Sequence, residues 1–231
     1  MTKCGVEREG EMKKIVSVLL VVTLVLGLTG CSVVEGILGS NKTTYGDYVI
    51  SLLDSTYKGE FKKYMELTKE SEIASKASYE QSLEYDIMQL LYYCDLAETE
   101  EALDMLLPVY RKFAKNASYE IVSVEQESGK YKVTVAVYPY DLMEQIDISY
   151  EAFIVELETD RDAGNFDEMS EEDFYELFQL KGVEYLAQAI ENSTLASTPI
   201  EKTVEIIETL EEYSVSDEDM SDLYLLIWGI E

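Results

Sequence analysis

The stretch SYEIVSVEQESGKYKVTVAVYP, residues 118–139, decides the fold class of this 231-residue chain. Its second half alternates apolar and mostly polar side chains, the period-two pattern of a half-buried β-strand. The residues Glu127-Ser128-Gly129-Lys130 supply a turn between the two halves, and Pro139 ends the second strand. The alternating apolar positions are Tyr131, Val133, Val135 and Val137. The stretch therefore predicts a β-hairpin.

A second β-region is expected after Pro199. Val204 and Ile206 alternate with acidic neighbours, and Tyr213 and Val215 end a partner strand. Glu211 and Glu212 fit a turn between the two strands. A helix through residues 201–212 is an alternative that the pattern leaves open, because a short apolar run fits both structures.

The remaining segments have helical periodicity, with apolar residues three and four positions apart. Thr99, Ser170 and Ser216 are expected N-caps, because each is followed by acidic residues in the first helical turn. Pro108 is expected to kink the helix that contains it. The predicted helices cover approximately residues 45–56, 61–65, 71–95, 100–115, 140–159, 171–189 and 217–227.

Together these segments predict an α+β fold in which helices pack on one face of a small antiparallel sheet built from two hairpins. The folded domain is expected over residues 45–231. Its order of helices, hairpin, helices, hairpin and helix is also compatible with two α-then-β halves, residues 45–139 and 140–231.

The N-terminal stretch MKKIVSVLLVVTLVLGLTGC, residues 12–31, has the features of a secretory signal. Two lysines precede an apolar run that ends in Leu28-Thr29-Gly30-Cys31, and this tetrapeptide resembles the lipobox of bacterial lipoproteins. The resemblance implies that residues 12–30 are a signal peptide, that cleavage falls before Cys31, and that its sulfur receives a diacylglycerol. An uncleaved membrane anchor and a soluble secretory signal are the alternatives, although the run is short for a membrane span of about 20 residues.

Residues 1–11 do not fit this signal, because Glu7, Glu9 and Glu11 precede its cationic start. Met12 is therefore the expected initiator, and residues 1–11 an upstream extension of the reading frame. Residues 31–44 form the lipidated cysteine and a tether that contains Gly, Ser and Lys. Of the three cysteines, only Cys94 then remains as a free thiol in the mature chain, on the apolar face of a helix.

The composition limits the possible partners. The formal net charge is −29, so nucleic acid and anionic lipid headgroups are unfavourable partners. Cationic peptides, metal ions and basic protein surfaces are compatible with this charge. The expected partners are the membrane, through the lipid on Cys31, and an unknown protein or small ligand; no nucleic acid and no cofactor are expected.

Few catalytic or metal-binding patterns are present. The chain contains no histidine, which excludes histidine-based triads and metal ligands. Asp160, Asp162 and Glu171 occupy positions 1, 3 and 12 of a twelve-residue calcium loop. However, Gly164 and Asn165 stand where an oxygen ligand and the turn glycine belong. A solvated acidic loop is the competing interpretation of this segment.

Two segments carry a resemblance to known proteins. The stretch YKGEFKKY, residues 57–64, and the stretch GKYKVTV, residues 129–135, look like parts of uncharacterised lipoproteins of Clostridia-type Gram-positive bacteria that contain a domain of unknown function. This resemblance implies a cell-surface lipoprotein and offers no catalytic residues.

The expected function is that of a non-enzymatic binding or interaction module, held at the extracytoplasmic side of the cell membrane by its lipid. The alternative is a solute-binding lipoprotein associated with a transporter. A wall hydrolase that uses carboxylates is a third hypothesis, because paired carboxylates can perform acid–base chemistry without histidine.

Overall fold

The computed structural model of the protein describes residues 42–208 and 213–230. Seven α-helices and a four-stranded sheet form an α+β fold, as the sequence predicts. The helices are α1 (Lys42–Leu53), α2 (Lys62–Thr68), α3 (Glu72–Tyr93), α4 (Glu100–Lys115), α5 (Leu142–Asp162), α6 (Glu171–Asn192) and α7 (Asp217–Ile227). The strands are β1 (Ser118–Glu127), β2 (Lys130–Tyr138), β3 (Ile200–Glu208) and β4 (Tyr213–Val215).

The first hairpin lies where the alternating pattern predicts it. β1 and β2 are antiparallel, and Ser128 and Gly129 between them both have positive φ angles, 53° and 85°. Two successive turn residues with positive φ match the right-handed twist of the strands that they connect. Val133, Val135 and Val137 are fully buried, so the apolar face of β2 contacts the core.

The second β-region is also a strand, and the helix considered for residues 201–212 is wrong over residues 201–208. β3 pairs antiparallel with β2, opposing Val204 to Val133, and Val204 and Ile206 are buried. Alternation on a half-buried surface therefore decides the conformation here. The turn expected at Glu211 and Glu212 lies outside the described residues. The sheet order is β1-β2-β3-β4, with every neighbouring pair antiparallel.

The helices cover one face of this sheet. On the opposite face, polar side chains meet in solvent, where the Thr134 and Thr203 hydroxyls lie 2.9 Å apart. The expected caps are present: the side chains of Thr99, Ser170 and Ser216 each accept a hydrogen bond from the backbone N–H three residues later. Such a cap satisfies one of the donors that a helix N-terminus leaves free.

The first helix differs in detail from the prediction. α1 begins at Lys42, three residues before the periodic pattern, and continues into a π-helical turn, Asp54–Lys58. Gly59, with φ of 68°, ends this turn. The sequence pattern does not reveal this π-turn, because its buried Tyr57 follows the buried Leu53 by four positions, as in an α-helix. α4 covers Glu100 to Lys115 as predicted, with Pro108 inside it, and the kink expected there stays a prediction.

One hydrophobic core unites the first and second halves of the chain. At its centre lies Trp228, the only tryptophan, which is 1% exposed. β2 and β3, which come from different halves, pair along their length. The described residues therefore form one core, and the division into two α-then-β halves, residues 45–139 and 140–231, stays a prediction. The rings within 6.1 Å of Trp228 are those of Tyr57, Tyr110, Phe113, Tyr140 and Tyr224.

Candidate functional site

A groove lies where the antiparallel helices α5 and α6 meet the C-terminal end of α3. Its empty volume is about 330 Å³, part of which is open to solvent. We call this feature the α5–α6 groove. Its lining is mainly apolar and comprises Cys94, Leu96, Ile146, Ser149, Tyr150, Phe153, Phe178, Gly182, Tyr185, Leu186 and Ala189.

Ring packing between the two helices forms one wall of the groove. Phe153 of α5 is 1% exposed, and its ring centroid lies 5.0 Å from that of Phe178 and 5.3 Å from that of Tyr185, both in α6. Aromatic pairs at such separations contribute beyond the area that they bury. These contacts keep α5 and α6 side by side.

Gly182 brings α6 close to the segment that follows α3. A Cβ atom at this position would lie 2.4 Å from Leu96 Cδ2, so glycine is what allows the close approach. The neighbouring Ala97 N–H donates a hydrogen bond to Gln179 Oε1 over 2.6 Å. The floor of the groove is therefore attached to α6 by both packing and a hydrogen bond.

The edge of the groove combines exposed aromatic surface with negative charge. Tyr150 is 49% exposed although it lines the groove. Lys181 Nζ and the Tyr185 hydroxyl both donate to the Glu156 carboxylate, so the cation at this edge is paired. The hydrogen bond from Lys181, followed by that from Tyr185, holds the pKa of Glu156 below its ordinary value.

Cys94 is a free thiol that is partly buried in this groove. Burial, and secondarily the negative charge of Asp147, raise its pKa to about 12. Because the thiolate is the nucleophilic form, this cysteine stays protonated and unreactive at neutral pH. It behaves as the small apolar side chain that its place on the helix predicts.

The proposed calcium ligands lie around the end of the α5–α6 hairpin. Asp160 and Asp162 belong to the last turn of α5, and Glu171 is the first residue of α6. Asp160 accepts a hydrogen bond from Asn165 Nδ2 over 2.8 Å. In residues 42–208 and 213–230, no group of three or more acidic or cysteine side chains is arranged to hold a metal. The interpretation of this segment as a solvated acidic loop, with no metal, stays a prediction, and calcium binding stays its alternative.

The same hairpin exposes both apolar and acidic side chains. Residues 151–176 contain eleven acidic residues and one basic residue, Arg161. The exposed large apolar side chains on α5, α6 and their connection are Ile148, Tyr150, Val155, Met169, Phe174, Tyr175 and Leu180. Apolar surface gathered on one substructure is typical of interaction sites.

A separate polar cluster lies next to the core. The hydroxyls of Tyr110 and Tyr224 donate to the two oxygens of Asp86, over 3.0 and 3.1 Å. Burial raises the pKa of Asp86 to about 7, while the two hydrogen bonds act in the opposite direction. Sequence analysis missed this group, although Asp86 stands within the apolar stripe of α3, between Leu83 and Ile87.

The predicted lipidation residues Cys31, Leu28, Thr29 and Gly30 lie outside the described residues, as does the signal segment 12–30. Their role stays a prediction. Among the helices that the structure describes, none is long and apolar enough to cross a membrane.

Comparisons with known proteins show a likeness of fold. No protein-family model matches the chain, and no curated protein matches it. The chain is similar to the 2.62 Å crystal structure of a "putative lipoprotein (ycdA)" from Bacillus subtilis, with a TM-score of 0.54 and 14% sequence identity. The similarity covers 80% of this chain, which spans 56% of the length of that protein. At this identity the likeness concerns the fold alone.

Proposed function

We propose that this protein is a membrane-anchored surface lipoprotein whose domain is a non-enzymatic binding or interaction module. The observation that carries the anchor is the tetrapeptide Leu28-Thr29-Gly30-Cys31 directly after a cationic and apolar segment. A protein with the same fold and described as a "putative lipoprotein" supports this proposal, as does the sequence resemblance to lipoproteins of Gram-positive bacteria.

A lipid on Cys31 would keep the domain close to the membrane. Ten residues separate Cys31 from the first residue of α1, Lys42. A chain of ten residues reaches at most about 35 Å when fully extended. More than one acyl chain is needed for stable anchoring, which is what a diacylglycerol on the sulfur provides. The domain then acts on the extracytoplasmic side, within this distance of the bilayer.

The binding role is supported by the α5–α6 groove and the exposed side chains beside it. An apolar concave surface with a few polar groups at its edge is the usual form of a binding site. The described cysteine is protonated, and the sequence has no histidine. These observations favour recognition over nucleophilic catalysis.

The anchor is tested by changing its cysteine in the full chain, expressed in a Gram-positive host. Cys31→Ser should abolish incorporation of labelled fatty acid and release the domain from the membrane fraction. Cys94→Ser is the matched control, because it removes the other cysteine of the proposed mature chain and should leave lipid labelling unchanged. Full labelling and membrane retention of Cys31→Ser would contradict the proposal.

The non-enzymatic role needs a separate measurement. Photo-crosslinking on intact cells should capture one reproducible protein or ligand at the domain surface. Release of muropeptides from purified cell wall by the wild-type protein, above the level of a heat-treated sample, would instead support the carboxylate hydrolase.

The solute-binding alternative is favoured by one observation, the mainly apolar lining of the α5–α6 groove, which is partly open to solvent. A ligand that binds only the folded state raises the melting temperature, and the rise grows with the logarithm of the ligand concentration once this exceeds the dissociation constant. Thermal scans against small apolar and aromatic compounds would therefore separate this alternative from a protein-binding module.

A further inference from the structure

We propose that the edge of the α5–α6 groove and the exposed aromatic side chains beside it contact the apolar face of a basic, amphipathic polypeptide segment, whose cationic side chains contact the acidic α5–α6 hairpin. This inference rests on the proposed function, because it names the class of partner that the binding module would take.

The groove offers a mainly apolar surface to a partner. Cys94, Leu96 and Phe153 enclose it, while Tyr150 at its edge is half exposed. An exposed aromatic residue beside an apolar depression is typical of interface hot spots, because a partner that covers the residue removes it from water.

The exposed aromatic surface continues along α6 beyond the groove. Tyr175 precedes Gly182 by seven residues and so lies on the same side of the helix. Gly182 is buried against Leu96, whereas Tyr175 is 58% exposed and Phe174 36% exposed. Seven residues span about 10 Å of helix. The free surface therefore suits a segment with two or more apolar positions rather than a single small molecule.

The charge around the groove indicates which charge a partner should carry. The negative charge of Asp147 acts on the thiol of Cys94 inside the groove. The negative charge of Glu184 acts on the side chains of Lys181 and Tyr185. Lys181 itself is paired with Glu156. Negative charge at this edge is thus in excess, and it continues into the hairpin, where acidic residues outnumber basic ones eleven to one between residues 151 and 176.

The same charge opposes the other macromolecular occupants. Nucleic acid and anionic bilayers are repelled by it, and so is a second copy of this chain, which also carries a net charge of −29. A polypeptide rich in lysine or arginine is attracted instead, and this attraction raises the association rate and gives it a dependence on salt.

The test uses the full chain in non-ionic micelles and a fluorescein-labelled, 18-residue peptide in which leucines at helical spacing alternate with lysines. The control peptide has the same pattern with glutamate in place of lysine. We expect the anisotropy to rise with protein concentration for the lysine peptide only, above the level of protein-free micelles. The affinity should fall at least tenfold between 50 and 300 mM NaCl.

Two pairs of variants locate the binding surface. Tyr150→Ala should weaken binding of the lysine peptide about tenfold, whereas Ile200→Ala, equally exposed but in β3 and outside the groove, should leave this binding unchanged. Asp147→Asn with Glu151→Gln should weaken binding and reduce its salt dependence. Glu125→Gln with Glu201→Gln removes the same charge from the exposed surface of the sheet and should change binding by less than twofold.

The outcomes separate this inference from the function on which it rests. Equal binding of both peptides, equal effects of Tyr150→Ala and Ile200→Ala, or no binding of the lysine peptide would overturn the docking site. If crosslinking on cells still captures a partner in those cases, the binding module stands and only its partner class is wrong. A thermal shift with a neutral aromatic compound that depends on Tyr150, without peptide binding, would make the groove a small-molecule site.

Discussion

The hydroxyl of Tyr224 in α7 donates a hydrogen bond to Asp86 Oδ1 in α3 over 3.1 Å. Tyr110 of α4 donates to the other carboxyl oxygen over 3.0 Å. Burial, followed by the charge of Asp86, raises the pKa of both phenols well above the usual value, so they remain donors. One carboxyl group therefore joins three helices at the edge of the aromatic core.

This relationship predicts that the free energy of unfolding falls as the pH rises from about 4 to about 7. The pKa of Asp86 is about 7 in the folded protein and near its ordinary value of 3.8 in the unfolded chain. The folded state therefore binds the proton more tightly, and the stability that this proton gives is lost as it dissociates. One pKa unit corresponds to about 1.4 kcal/mol. Because the group is only partly buried, the contribution of Asp86 to the free energy of unfolding should fall by about 2 kcal/mol, less than the full shift would give, as the pH rises from 5 to 8.

Asp86→Asn separates this group from the other acidic residues, because asparagine keeps its shape and cannot ionise. As the pH rises from 5 to 8, the free energy of unfolding of the variant should increase by about 2 kcal/mol relative to that of the wild type. Urea unfolding at each pH, followed by the fluorescence of Trp228, measures this difference. Parallel pH profiles for the two proteins would show that Asp86 does not titrate in this range.

The second prediction concerns Gly229, which follows α7 with φ of +66°. A Cβ atom here would lie 2.0 Å from the backbone oxygen of Tyr140. That residue cannot move freely, because its N–H donates to Ile227 O over 3.0 Å. Gly229→Ala should therefore destabilise the protein by at least about 3 kcal/mol, the sum of the left-handed conformation and the clash.

Gly129→Ala is the matched control for this substitution. Gly129 also has positive φ, +85°, but no atom lies within 4 Å of its Cβ position. The Gly129→Ala variant should lose only about 1–2 kcal/mol of its free energy of unfolding, the cost of a left-handed conformation for an L-residue. Chemical denaturation monitored at Trp228 gives both values, and equal losses for the two variants would contradict the proposed clash.

The fold was largely predictable because its elements differ in period. The apolar positions of β2 repeat every two residues, and those of the long helices every three or four. The helix caps at Thr99, Ser170 and Ser216 follow from local chemistry. The π-turn after α1 was not predictable in this way, because its apolar residues continue a helical pattern.

The candidate site was much less predictable than the fold. The groove depends on contacts between α3, α5 and α6, including the approach of Leu96 to Gly182, and no single segment contains this information. Asp86 gave a signal that can be recognised in retrospect, an acidic residue in an apolar stripe. Its two partners follow 24 and 138 residues later, so their meeting depends on how α3, α4 and α7 pack.

The third prediction concerns the reactivity of Cys94. With a pKa of about 12, only about one thiol in ten thousand is ionised at pH 8. Iodoacetamide should therefore alkylate Cys94 at least a hundredfold more slowly in the folded protein than in 6 M urea, as measured by mass spectrometry of the peptide that contains it. Asp147→Asn should increase the folded rate by less than tenfold, because burial is the larger cause of the raised pKa. Rapid labelling of the folded protein would contradict a buried thiol.

The fourth prediction concerns what holds α5 against α6. Phe153 is 1% exposed and contacts two aromatic rings of α6, so Phe153→Ala should destabilise the protein by about 3–5 kcal/mol. Glu156 joins the same helices through Lys181 and Tyr185, but its side chain is 37% exposed. Surface ion pairs contribute at most about 1 kcal/mol, and Glu156→Gln should therefore change the stability by less than this amount.

Hydrogen exchange shows whether the loss in Phe153→Ala arises in the hairpin. Amides of residues 150–180 should lose more protection than those of β2, because the substitution removes the ring packing between α5 and α6 directly. In the Glu156→Gln variant, the amides of residues 150–180 and those of β2 should both keep their wild-type protection. If the glutamine variant loosened the hairpin as much as the alanine variant, the ion pair rather than the aromatic rings would hold α5 and α6 together, and the wall of the groove would depend on charge.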